Sequence, residues 1–101
     1  MNRAEFAEAT GASIRQLDYW ATHGIPLTTD NKTKIGSGYH RDYDSTAVPK
    51  VQLLVTLSKV FEGRFSVYTL KRIFDEYHLG QMTIQKGLFL KWDVETIERN
   101  E

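Results

Sequence analysis

Gly11 stands in a short turn between two helix-start signals, Asn2 and Ser13, and this spacing limits the fold more than any other feature of the chain. Asn2 caps a first helix that is expected to run to about Thr10, and Gly11 supplies the permissive backbone of a sharp turn. Ser13, with Gln16 three residues on, forms a capping box for a second helix that stops at Gly24. Two short helices joined by a turn of about three to four residues make a helix-turn-helix arrangement.

At about 100° per residue, Ile14, Leu17 and Ala21 of the second helix share one stripe, which is expected to face the core. Arg15, Gln16, Tyr19 and His23 then point the other way, onto a face that is polar, aromatic and partly cationic. Trp20 falls on the flank and is expected to pack against whatever follows the helix.

From Ile25 to Tyr43 the helical period is lost in a stretch rich in Thr, Asn, Asp, Gly and Tyr, which predicts a hairpin. On its return strand, alternation puts Tyr39, Arg41 and Tyr43 on one face and His40 and Asp42 on the other, while Gly36 and Gly38 relax the loop before it. A hairpin directly after a helix-turn-helix is a wing. A third helix follows, with a cap at Asp44 or Ser45, Pro49 in its first turn and its end near Glu62. Val51, Leu53, Leu54, Val55, Leu57, Val60 and Phe61 leave only a narrow polar stripe at Gln52, Thr56 and Lys59, the pattern of a central core helix.

Ser66 caps a fourth helix whose apolar face is Val67, Leu70, Ile73, Phe74 and Tyr77, and His78 to Gly80 ends it. Beyond it, Leu88, Leu90 and Trp92 alternate with Phe89 and Lys91 as a strand does, and Asp93 is a cap for a last short helix with Val94 and Ile97. The expected fold is mainly α: a winged helix-turn-helix of four helices and a β-hairpin wing over residues 1–80, with a short strand and helix extension over 81–101 that packs on the domain or forms an interface.

Composition narrows the function classes. The 101 residues, 41% of them hydrophobic, suit one small globular domain. There is no cysteine, so disulfides, thiolate metal ligands and cysteine nucleophiles are excluded and a reducing compartment is expected. The first residues lack the basic-then-apolar order of a signal peptide, and no apolar run approaches the ~20 residues that span a bilayer. A cytoplasmic protein without membrane contact is the expectation. Thirteen basic and thirteen acidic residues cancel, which counts against a nucleic-acid binder, yet one face need only gather a few Lys and Arg to contact phosphates.

The order helix, turn, helix, wing, two helices resembles the DNA-binding domain of the MerR family. Thr10-Gly-Ala-Ser, Arg15 to Trp20, Gly24-Ile-Pro26, Gly36-Ser-Gly-Tyr-His-Arg-Asp-Tyr43 and Phe65-Ser-Val-Tyr-Thr-Leu-Lys-Arg-Ile73 are similar to that family's signature blocks, and together they span residues 2–78. The pairing of QLDYW with the GSG-x-x-R-x-Y wing is especially like a MerR-type subgroup from actinobacteria and their phages. The resemblance implies that the second helix enters the major groove, Arg15 and Gln16 reading bases, Tyr19 holding a phosphate and Arg41 anchoring the wing. Ser13, His23, Tyr39 and His40 complete the expected DNA-binding set, with Lys32 and Lys34 as phosphate contacts at the wing tip. Asp18 stands where many members have arginine, so one usual backbone contact is missing or replaced by an intramolecular pair. No long dimerising helix or effector domain is recognisable after Tyr77, so neither ligand nor metal sensing is expected.

Plainer accounts stand beside these. Arg15, Gln16 and Tyr19 also fit a merely solvated helix face, and Arg41 also fits a surface pair with Asp42 or Asp44. His23, His40 and His78 lack metal-ligand spacing, so no metal and no cofactor are expected. Asp42 and Asp44 have no matching nucleophile or phosphate loop, and no catalytic constellation can be assembled. The expected partner is double-stranded DNA, bound by a small transcriptional regulator as a homodimer or a head-to-tail assembly alongside the transcription machinery. The alternatives are an excisionase-like recombination directionality factor that bends DNA for a phage integrase, and a protein-interaction adaptor that no longer binds DNA.

Overall fold

The computed structural model describes residues 1–29, 33–35, 38–40 and 42–94, with the backbone alone for 33–35, 38–40 and Gln85. Asn2 opens α1 (Arg3–Thr10) with a full capping box, its side chain accepting from the Glu5 N–H while the Glu5 carboxylate accepts from the Asn2 N–H. Gly11 ends that helix in the left-handed region at φ 80°, where its N–H donates back to the Ala7 carbonyl. The chain turns at once into α2 (Ile14–Thr22), capped by Ser13.

The predicted hairpin forms between β1 (Thr33–Ile35) and β2 (Gly38–His40), antiparallel, with Lys34 opposite Tyr39 and Thr33 opposite His40. A bridge between Thr28 and Tyr43 closes its base. Asp44 then caps a short 3₁₀ turn, Ser45–Ala47, which feeds directly into α3 (Val48–Val60) with Pro49 in the first turn. The Asp44 cap therefore serves the 3₁₀ turn and not the helix itself. Ser66 caps α4 (Val67–Asp75), and Gly80, left-handed at φ 71°, follows a second 3₁₀ turn over Tyr77–Leu79.

The chain is mainly helical, and α3 is its axis: α1 and α4 pack on it while α2 packs on α1. Phe6, Leu17, Val51, Leu54 and Ile73 are sealed in one core with Trp20, Ile25 and Leu27. At about 25 cal/mol per Å² of apolar surface removed from water, such a cluster supplies most of the driving force for folding.

Three expectations need correction. Ile14 is 42% exposed and Trp20 only 3% exposed, so the buried stripe of α2 is Leu17, Trp20 and the half-buried Ala21. Leu17 and Trp20 are one turn apart, and the indole's area outweighs an isoleucine in the first turn. Val60 and Phe61, read as covered, emerge into solvent where α3 ends. The lone C-terminal strand is a hairpin: β3 (Gln81–Gln85) pairs antiparallel with β4 (Leu88–Lys91), with an irregularity between Thr83 and Gln85. Met82 joins the core cluster, and Ile84, Leu90 and Trp92 lean on it. Asp93 and Val94 lie outside any helix, and the rest of the last predicted helix falls outside the described residues.

Candidate nucleic-acid interface

The outward side of α2 is rigid because both its start and its buried side are fixed. Ser13 Oγ accepts from the Gln16 N–H at 3.0 Å, and Gln16 Oε1 accepts from the Ser13 N–H at 3.0 Å. Leu17 and Trp20 anchor the opposite side. Along the exposed side, Arg15, Tyr19 and His23 follow one another at single-turn spacing. Among the described residues Arg15 has no hydrogen bond or ion pair, so its guanidinium is open to solvent.

Tyr19 is 52% exposed, and its ring lies against the His23 imidazole with centroids 4.2 Å apart. His23 Nδ1 is 2.8 Å from the Tyr19 carbonyl oxygen. Since a carbonyl only accepts, Nδ1 carries the proton, and Nε2 is the nitrogen that can meet a ligand. The next residue, Gly24, has φ 92°, and a Cβ there would stand 3.4 Å from Lys71 Cε. Lys71 of α4 therefore crosses the end of α2, its Nζ 3.3 Å from Asp75.

Asp18 is paired within the chain, as one branch of the sequence reading allowed. Arg3 Nη1 lies 3.2 and 3.3 Å from its two carboxylate oxygens. Sequence reasoning gave Arg3 and Lys71 no part in this surface. The signal for Arg3 was the carboxylate itself, a charge of the wrong sign on a face expected from the sequence to meet phosphates.

The base of the hairpin is tied to α1 and the core. The Tyr43 N–H donates to the Met1 carbonyl at 2.8 Å, the Asp44 N–H donates to the Leu27 carbonyl at 3.0 Å, and the Tyr43 ring rests on Phe6 with centroids 5.0 Å apart. The Met1 amino group lies 3.0 Å from Asp42 Oδ1, which occupies one of the carboxylates proposed as a partner for Arg41. Lys34, Tyr39 and His40 lie on the paired strands, while Lys32 and Arg41 lie outside the described residues. Beside the hairpin base, an open groove of about 430 Å³ runs between Thr28, Asp44, Lys50 and Phe74, with the Lys50 amino group 5.0 Å from the centre of the Phe74 ring.

No three His, Asp or Glu side chains converge as metal ligands among the described residues, and no helix there is long and apolar enough to cross a membrane. Comparison of the chain with protein-family models, with curated proteins and with solved structures found no match.

Proposed function

We propose that this chain is a sequence-specific double-stranded DNA-binding protein, a small MerR-like regulator that acts without a catalytic step. The observation that carries the reading is the row of exposed Arg15 and Tyr19 and half-buried His23 on a helix held at its cap and along its buried side. A rigid helix of this kind, with a hairpin anchored nearby, is suited to lie in a major groove while the hairpin meets the backbone. In this reading Arg15 meets a base edge, and Tyr19 and His23 meet phosphates.

Net charge zero is compatible with this because the charges are unevenly placed. Residues 11–72 carry nine Lys and Arg against five Asp and Glu, so the stretch holding the candidate face and the hairpin is basic and the flanking stretches are acidic.

The test is selection of binders from a random duplex library at near-physiological salt. Enriched inverted half-sites support a dimeric regulator, and direct repeats support the excisionase-like variant of the reading. No enrichment by a folded protein overturns it. One observation favours a second reading, a protein-interaction adaptor: Leu88 and Phe89 on β4 are 46% and 58% exposed. That reading predicts no salt-sensitive duplex binding at all.

A further inference from the structure

A carboxylate beside a face proposed to meet phosphates is an electrostatic contradiction, and α2 holds one. At about 100° per residue, Asp18 lies about 60° to one side of Arg15 and Tyr19 about 40° to the other. Asp18 thus shares the exposed surface of the helix with both, and its side chain is 53% exposed. Left alone, it would repel the same polyanion that Arg15 attracts.

It is not left alone. Arg3, the first residue of α1, places Nη1 3.2 and 3.3 Å from the two carboxylate oxygens, while 52% of its own side chain remains exposed. Arginine has five N–H donors in a rigid fork, and this contact engages one of its three nitrogens. Among the described residues Nε and Nη2 have no partner, so that edge of the fork is open to solvent.

The backbone beneath Arg3 is held from two directions. The Asn2 and Glu5 capping box fixes the start of α1, and two residues before Arg3 the Met1 carbonyl accepts from the Tyr43 N–H at the base of the hairpin. Arg3 therefore bridges the two elements that the DNA-binding reading assigns to groove and backbone, touching α2 through its side chain and rooted beside the hairpin through its main chain.

We infer that Arg3, steered by Asp18, is a phosphate-binding residue supplied to the α2 face from α1. The carboxylate orients the guanidinium so that its free N–H edge meets a phosphate of the duplex backbone, and the cation masks the carboxylate in return. This inference rests on the DNA-binding reading above, and its ligand is a backbone phosphate, so it contributes affinity without sequence preference.

The test compares the wild-type protein with Arg3→Ala/Asp18→Asn on the duplex selected by the wild type, across a salt titration. Removing both charges together leaves the net charge of the pair at zero, which separates a contact made by the steered Arg3 from mere masking of Asp18. If Arg3 binds a phosphate, the double variant binds about tenfold more weakly than the wild type, as for loss of one charge-assisted hydrogen bond. Its plot of log affinity against log salt also becomes shallower by about 0.9. Lys86→Gln, which removes one unit of positive charge from the turn between β3 and β4, leaves that slope unchanged. Equal affinities and slopes for the wild type and the double variant overturn the inference while leaving the DNA-binding reading intact. Absence of salt-sensitive duplex binding by the wild-type protein overturns both. Circular dichroism and a melting curve confirm that each variant is folded, as expected for a solvent-exposed ion pair, which adds little to stability.

Discussion

Ser13 and Gln16 hold each other at the start of α2, each backbone N–H donating to the other's side chain at 3.0 Å. The Gln16 amide oxygen is thereby occupied in the free protein, so reading adenine with both amide groups would require the cap to open. Gln16→Glu keeps a side chain able to complete the cap and adds a negative charge near the helix N-terminus, where it is favourable. Stability is expected to hold or rise slightly while DNA affinity falls. Ser13→Ala is expected to lower stability by about 0.5–2 kcal/mol, and urea denaturation of both proteins checks the pair.

Arg15 and Arg41 are expected to fail differently. Arg15→Ala should relax sequence preference by about 1–3 kcal/mol at one base position, because a bidentate base contact discriminates by that amount. Arg41→Ala should weaken all duplexes nearly equally and make the salt dependence shallower. Competition binding with single-base variants of the selected site separates the two.

Thr10 is the buried polar residue that completes the turn between α1 and α2. Its hydroxyl donates to the Phe6 carbonyl at 2.8 Å and accepts from the Ala12 N–H at 3.2 Å. Thr10→Val preserves shape but strands that N–H away from water, at an expected loss of about 1–3 kcal/mol. The denaturation midpoint should fall with an unchanged slope.

Gly24 takes φ 92° directly under Lys71. Gly24→Ala is expected to destabilise the fold by about 1–2 kcal/mol through the left-handed backbone. Adding Lys71→Ala should restore little of this, because that side chain is flexible and the strain is in the main chain. Melting temperatures of the single and double variants decide the matter.

The helical half of the molecule was legible because its signals are local. Asn2, Ser13 and Ser66 are caps that announce themselves within four residues, and the apolar face of α4 recurs without interruption. What failed depends on distant residues. Ile14 and Trp20 both fit an apolar stripe, and only the position of the core decides that Trp20 is inside. Gln81–Gln85 is short, half polar and irregular at Ile84, so it carries no strand signal until β4 lies beside it. In the candidate interface, Arg15, Tyr19 and His23 could be read from helical period alone. Arg3 could not, since it reaches Asp18 only through the packing of α1 against α2.

Trp92 donates its indole N–H to the Tyr77 carbonyl at 3.0 Å and its backbone N–H to the Gly80 carbonyl at 2.8 Å, fastening the last hairpin to the end of the helical body. Trp20, the chain's other tryptophan, is sealed within that body, whereas Trp92 is only half-buried. The molecule thus carries two intrinsic fluorophores, one for the interior and one for a seam. Replacing either by phenylalanine leaves a single emitter, and the remaining spectrum tells whether the seam parts before the interior does.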